Sequence, residues 1–313
     1  MRRNFNQAGF TLIELVIGMV ITAIIAGMVT LFARWPVQAY LDSSHRAALS
    51  DQADTALRRL ARDIRQALPN SLRLKSGPCT VGGGTCTFLE FIPIKTAGRY
   101  RASLGGSGTQ ALDLESSANQ TFDILGPPLC PASECTLART DSLVLYNQGS
   151  GQSDAYLNPA STPRANRRLL RSTGNSLSSL QITGSGQGLC KSLPTPYYDS
   201  ATDTCNADDS SLSPHRYELP GFRFYIIADA ISYECPQAAN ALRTSWLRYA
   251  AYGLNSSQPT SFGTASPTVL SSGLESCDLQ LSDDQQLLIV SLTLKGDSER
   301  LTLLQQIEVP NAP

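Results

Sequence analysis

Histidine is nearly missing from this chain of 313 residues: only His45 and His215 are present. Two imidazoles cannot easily supply both a metal centre and an acid–base pair, and neither lies in a recognisable site. His45 falls in a helical run and His215 in the loop-like Ser213-Pro214-His215-Arg216. The nucleophile elbow G-x-S-x-G and the zinc-protease run H-E-x-x-H are absent too, so the chain is expected not to be an enzyme. It also lacks an excess of charge of one sign, with 25 Lys plus Arg against 26 Asp plus Glu and a net charge of -1. A near-neutral chain has no global attraction for nucleic acid or anionic lipid, and any partner must be recognised locally. The glycine clusters Gly82-Gly83-Gly84, Ser103 to Gly108 and Gly184 to Gly188 lack the Lys-Ser or Lys-Thr of a phosphate-binding loop and are read as turns.

What the chain does have is one long apolar run, Phe10 to Ala33, in which Glu14 is the single charge. At ~1.5 Å per residue, roughly 24 helical residues reach about 36 Å, more than the ~30 Å of a bilayer core. A short polar leader, Met1 to Ala8, precedes it and carries Arg2 and Arg3. A secretory signal would place small residues in an A-x-A-like pattern behind the apolar region; here the small residue, Gly9, stands in front of it. A cut there removes only the leader and leaves the helix on the mature protein. A carboxylate in such a span marks a functional site by default. The rival reading is a plain signal anchor whose glutamate snorkels to the interface.

Beyond the span, Arg34-Trp35-Pro36 suits a membrane edge, and Pro36 predicts a kink or break. From Val37 to Leu68 the apolar residues Leu49, Ala53, Leu57, Leu60, Ile64 and Leu68 recur at spacings of three and four, which predicts an amphipathic helix ended by Pro69-Asn70. Its other face carries Arg58, Arg59, Arg62, Asp63 and Arg65 and is read as solvated. After Pro69 the period shifts toward two. Strands are expected at Ser71 to Lys75, Thr87 to Ile94, Ser142 to Asn147 and Phe222 to Ala228. A hairpin follows at the end: Leu287 to Leu294, a turn at 295–298, then Arg300 to Val309, both strands expected to be central. Strict alternation puts Leu288, Val290, Leu292 and Leu294 on one face, a natural seat for the oily side of the long helix. Trp246, Tyr249 and Tyr252, three apart, are read as packed aromatics rather than a binding stripe. With no internal repeat and no clean linker, the soluble part reads as one domain with insertions.

All eight cysteines, Cys79, Cys86, Cys130, Cys135, Cys190, Cys205, Cys235 and Cys277, follow the apolar run, which points to an oxidising compartment. Pairing in sequence order is the simplest of about a hundred connectivities. Zinc, the rival use of these thiols, wants CxxC spacings or histidine partners that the chain does not offer. Asp203, Asp208 and Asp209 around Cys205 form a weak calcium candidate, without the glycine and closing glutamate of an EF-hand loop. Arg164, Arg167, Arg168 and Arg171 could contact phosphate; without interleaved aromatics they read as a surface edge, and nucleic acid is not an expected partner.

The run Gly9-Phe10-Thr11-Leu12-Ile13-Glu14-Leu15 resembles the cleavage and methylation motif of type IV pilins and type II secretion pseudopilins. The resemblance implies that a prepilin peptidase cuts between Gly9 and Phe10 and methylates Phe10, and that Glu14 meets the terminal amine of a neighbouring subunit during assembly. It implies an α+β pilin-like fold, in which a long N-terminal helix, its first half in lipid, packs on a disulfide-bearing antiparallel β-sheet domain. The divisions are then 1–9 (leader), 10–35 (transmembrane), 36–68 (amphipathic half-helix) and 69–313 (periplasmic or extracellular domain). The implied partners are the peptidase, other minor and major pilins, an inner-membrane assembly platform and the lipid bilayer, with no cofactor. Where major pilins of the family often carry a proline, this chain has Leu31.

A second resemblance, to the MshO type of mannose-sensitive haemagglutinin pilus biogenesis proteins, rests on Pro36-Val37-Gln38-Ala39-Tyr40 through Arg46, on Leu57 to Arg65 and Ala67 to Ser71, and on the Cys79/Cys86 region. It implies a minor pilin, and the large soluble part suits a subunit that initiates or caps a filament. A minor pseudopilin of type II secretion, similar to the J subunit, is the neighbouring reading. A membrane-anchored hydrolase is the reading from another class.

Overall fold

Helix α1 runs unbroken from Leu12 to Arg65, 54 residues. The computed structural model describes residues 11–131, 135–162, 164–193, 198–205, 220–237, 245–296 and 299–310. The break expected at Pro36 does not occur, because the helix continues through it. Proline removes one donor from the ladder, and the turns on either side are strong enough to carry the helix past that single loss. The helix also stops earlier than Pro69. The amides of Gln66 and Ala67 close onto the carbonyls of Asp63 and Ile64. Leu68 N then donates to Ile92 O at 2.7 Å, and Ile94 N to Gln66 O at 2.8 Å. Asn70, at φ 57°, turns the chain away. Its amide donates to Asn147 O at 2.9 Å, and Asn147 Nδ2 donates back to Pro69 O at 2.7 Å.

The strands follow as β1 (Arg73–Pro78), β2 (Thr85–Phe91), β3 (Ile94–Tyr100), β4 (Gln120–Leu125), β5 (Ser142–Val144), β6 (Arg167–Leu169) and β7 (Ser179–Ile182). A short pair, β8 (Tyr198–Asp199) and β9 (Thr204–Cys205), precedes β10 (Arg223–Ile227), β11 (Ile231–Pro236), β12 (Ser245–Tyr249) and β13 (Thr268–Ser272). The chain ends in β14 (Leu274–Leu281), β15 (Leu287–Lys295) and β16 (Arg300–Glu308). The architecture is therefore α+β, with one long N-terminal helix over antiparallel sheets.

Two sheets build the core beneath α1, a five-stranded one ordered β1-β2-β11-β12-β13 and a three-stranded one ordered β14-β15-β16. Ala53, Leu57, Leu60 and Ile64 of the helix pack there with Leu288, Val290, Leu292 and Leu294, the expected alternating face, all four of them 0% exposed. Burying a leucine or isoleucine side chain contributes about 1.5–3 kcal/mol, so this seam anchors the helix. Only β15 is central; β16 forms the sheet's edge. Trp246 faces the helix core while Tyr249 packs on the opposite face with Phe262, because alternation along a strand separates what helical spacing would have joined.

The third sheet, ordered β6-β5-β10-β3-β4-β7, closes on itself. Arg171 N donates to Gln181 O at 2.8 Å, Thr183 N donates to Leu169 O at 2.9 Å, and Leu170 bridges to Ile182. Tyr100, Phe122, Leu143, Leu180, Phe224 and Ile226 fill this small barrel. Closure leaves its strands no open edge there. The β2–β3 and β10–β11 passages join barrel to helix-bearing sheets, with Leu68, Ile92, Ile227 and Ala230 buried between them.

The cysteines pair in sequence order: Cys79–Cys86 (Cα–Cα 5.0 Å), Cys130–Cys135 (4.8 Å), Cys190–Cys205 (5.8 Å) and Cys235–Cys277 (5.3 Å). The last joins β11 to β14 and so staples together the two sheets under the helix.

Candidate functional site

Leucine, isoleucine, valine and methionine cover α1 from Leu12 to Phe32, and all of these side chains are exposed. The helix is long and apolar enough there to cross a membrane. Its few polar groups are turned inward on the backbone: Thr22 Oγ1 donates to Gly18 O at 2.7 Å and Thr30 Oγ1 to Gly27 O at 2.8 Å. Hydroxyls satisfied in this way cost little in lipid, where water cannot serve them.

Glu14 sits at the very start of this rod. Thr11 is the N-cap, in extended conformation at φ -78° and ψ 147°. The amide of Glu14 donates to Thr11 Oγ1 at 3.4 Å, and the threonine hydroxyl lies 3.4 Å from Glu14 Oε2. The spacing Thr11-x-x-Glu14 is that of a capping box, a signal legible in the sequence. Helix geometry thus gives the carboxylate a local task besides any role toward a partner, and the helix N-terminus favours negative charge. Gly9 and Phe10 lie outside the described residues.

Between the apolar rod and the domain, residues 36–45 form a bare stalk about 15 Å long, with Val37, Tyr40 and Leu41 exposed. The helix then meets the domain through three polar fastenings. Arg46 grips Glu299 with Nε and Nη2 at 3.0 and 2.9 Å. Gln52 donates to Ser272 Oγ at 2.9 Å. Asp63, expected on the solvated face, instead turns inward and accepts from Tyr233 at 2.7 Å and Arg248 at 2.9 Å. Burial pushes the Tyr233 hydroxyl far above its ordinary pKa, and the Asp63 charge adds to this, so it remains a donor. Arg58, Arg59, Arg62 and Arg65 do stay exposed, Arg58 beside Asp54 at 2.7 Å.

The remaining candidates resolve differently. Arg167 and Arg168 are no surface edge, since both are buried. Arg167 donates to Leu157 O at 2.9 Å, and Arg168 to Arg167 O and Gln187 O, each at 2.9 Å. Desolvation brings each guanidinium down to about 10, and neither is presented to a phosphate. Arg164 reaches Asp203 at 3.4 Å, as does Lys191 at 2.7 Å. These cations, with a bond from Tyr198, hold the Asp203 carboxyl below its ordinary range. Asp208, Asp209 and His215 lie outside the described residues. Cys79, Cys86 and Glu234 come together in space, but the two sulfurs are joined to each other. A disulfide offers no thiolate to a metal.

Residues 4–30 match the family model of the prokaryotic N-terminal methylation motif. The match takes in the end of the leader from Asn4, then Gly9, Phe10, Glu14 and most of the apolar rod, and supports a protein of the type IV pilin and pseudopilin family. No curated protein and no solved structure matches the chain.

Proposed function

We propose that this chain is a non-enzymatic minor pilin that helps to initiate or cap a type IV pilus of the mannose-sensitive haemagglutinin kind. One observation carries the reading: an uncovered apolar helix headed by the methylation motif is fastened, through Arg46, Gln52 and Asp63, to a head built from antiparallel sheets. A rod with no partner among the described residues is made to be covered by lipid first and by neighbouring helices afterwards. A head of this bulk packs poorly at every position of a shaft, which favours the end of a filament.

In this reading a prepilin peptidase cuts between Gly9 and Phe10 and methylates Phe10. Glu14 then receives the terminal amine of an adjacent pilin at the inner-membrane platform, and the head faces the periplasm. Mass spectrometry of the mature protein tests the first step, with a chain beginning at methylated Phe10 as the expected result. Any other start sinks the reading. A J-like minor pseudopilin of type II secretion shares every one of these features. Deletion separates the two: loss of surface pili with secretion intact supports the pilus, and the reverse supports the pseudopilus.

A further inference from the structure

The face of the five-stranded sheet turned away from α1 carries a polar corner at the turn between β1 and β2. Cys86 and Phe88 point to that face, while Leu89 joins the helix core. Glu234 on β11 stands opposite Phe88 in the ladder, and alternation along both strands brings its side chain to the same face as Cys86. The turn is closed by the bond from Cys79 N to Gly84 O at 3.0 Å and by the Cys79–Cys86 bridge. Both oxygens of Glu234 are held from within it. Thr80 N donates to Oε1 at 2.7 Å and Thr80 Oγ1 to Oε2 at 2.6 Å, and the Tyr249 hydroxyl lies 2.6 Å from the same threonine oxygen.

Glu234 and Cys86 are both buried, and Glu234 Oε1 lies 3.4 Å from Cys86 Sγ. A bridged sulfur has no proton to give, so a buried carboxylate is pressed against an atom that cannot donate to it. Opening the bridge changes the chemistry of the corner. Cys79 Sγ, Cys86 Sγ and a Glu234 oxygen lie within 4.8 Å of one another, and two thiolates with one carboxylate make a zinc-type donor set. Zn–S bonds of ~2.3 Å and Zn–O bonds of ~2.0–2.2 Å place tetrahedral ligands roughly 3.3–3.8 Å apart, a spacing within reach of side-chain rotation. Thr80 and Tyr249 already fix the orientation of the carboxylate, as outer partners do for metal ligands. Sequence spacing hides this set, because the third ligand stands 148 residues beyond Cys86.

We propose that Cys79, Cys86 and Glu234 form a zinc site in the thiol form of this chain, a site that disulfide formation closes. The thiol form precedes oxidation of the newly made chain and returns when a protein dithiol reduces the bridge. In that exchange the dithiol gives two electrons and two protons to the two sulfurs and leaves as its own disulfide. Zinc then replaces the two thiol protons, which pass to water, and three protein ligands leave a fourth position for a water molecule. Calcium is poorly matched, since it takes about six to eight oxygen ligands. Copper(I) is satisfied by soft sulfur ligands and has no need of Glu234. The corner is turned away from α1, so the proposal stands whichever filament the subunit serves.

The test uses the full chain in lipid nanodiscs, reduced with a phosphine under argon and titrated with Co²⁺ and then Zn²⁺. The wild type is expected to bind one more equivalent than Cys79→Ser/Cys86→Ser, whose other cysteines are unchanged, with a thiolate-to-cobalt absorption band that zinc abolishes. Glu234→Gln keeps an acceptor for Thr80 and is expected to bind at least about tenfold more weakly. Bound zinc should also shield Cys79 and Cys86 from alkylation, read by peptide mass spectrometry. Near-ultraviolet circular dichroism establishes whether the reduced chain is folded. Where it is, equal uptake by wild type and double variant, or undiminished binding by Glu234→Gln, overturns the proposal. Where it is not, Cys79→His decides, because it offers a zinc ligand without reductant and leaves the other three bridges in place. One zinc is expected in that variant, and uptake no greater than that of Cys79→Ala overturns the proposal.

Discussion

Arg248 on β12 and Asp63 on α1 stand 2.9 Å apart with side chains only 15% and 14% exposed. This pair ties the last turn of the helix to the sheet beneath it, and Tyr233 donates to the same carboxylate oxygen. Removing one partner of a largely buried pair strands the other and costs about 3–5 kcal/mol when fully buried. For this partly solvated pair Asp63→Ala is expected to cost about 2–3 kcal/mol. Urea unfolding of Asp63→Ala, Arg248→Ala and the double variant checks it. Additive losses would mean that the two side chains act separately.

Two disulfides close loops of very different length, a separation of 42 residues for Cys235–Cys277 and 7 for Cys79–Cys86. In the chain-entropy model these correspond to about 4 and about 2.5 kcal/mol. The Cys235→Ala/Cys277→Ala variant is therefore expected to melt well below the Cys79→Ala/Cys86→Ala variant, and it also unlinks two sheets. Calorimetry in non-reducing buffer gives the order directly; the opposite order would show that native-state packing, and not loop closure, governs both.

The helix, its oily face and the final hairpin were legible because each rests on local periodicity. Ala53, Leu57, Leu60 and Ile64 repeat at helical spacing, and Leu288 to Leu294 alternate at strand spacing. Closure of the barrel was not, since it depends on Leu169–Arg171 meeting Gln181–Thr183, a pairing no local pattern marks. Charge was the least legible property. Arg167, Arg168 and Asp63 look like surface residues in sequence and are taken inside by carbonyls or an ion pair from distant segments. At the site, Glu14 was readable as a lone charge in an apolar run. Its cap with Thr11 was equally readable at spacing three.

Glu90 supplies a pH dependence of definite sign. Its side chain is 0% exposed, and burial raises its pKa although Arg73 and Tyr252 oppose the shift. The native chain thus keeps a proton that the unfolded chain, with a carboxyl near ~4.3, releases. Between these two values the native state binds more protons, so stability falls as pH rises. The Glu90 contribution is complete below ~4.3 and is lost as pH climbs through the native value. Glu90→Gln cannot ionise. The stability of the wild type minus that of Glu90→Gln should therefore decline from about pH 4 upward and then level off. Urea titrations across pH would measure it, and a difference that rises with pH would reverse the assignment.

Glu14 joins two possible tasks, capping α1 with Thr11 and meeting a partner's amine, and two substitutions separate them. Glu14→Gln keeps an oxygen within reach of the Thr11 hydroxyl and loses the charge; Glu14→Ala loses both. A carboxylate in the span costs about 2.5–3.5 kcal/mol or less on insertion scales, which the apolar run easily offsets, so membrane insertion and cleavage after Gly9 should survive either change. The cap is worth about 0.5–2 kcal/mol, enough to fray the first turn but not to unseat a 54-residue helix. Pairing with a terminal amine needs the charge and becomes strong only where lipid or packed helices exclude water. Both variants are therefore expected to accumulate, processed, in the membrane and to be missing from filaments. Fractionation of the two strains decides the matter. Exclusion of Glu14→Ala with normal incorporation of Glu14→Gln would assign the residue to the cap, and normal incorporation of both would make Glu14 a tolerated charge in an ordinary anchor.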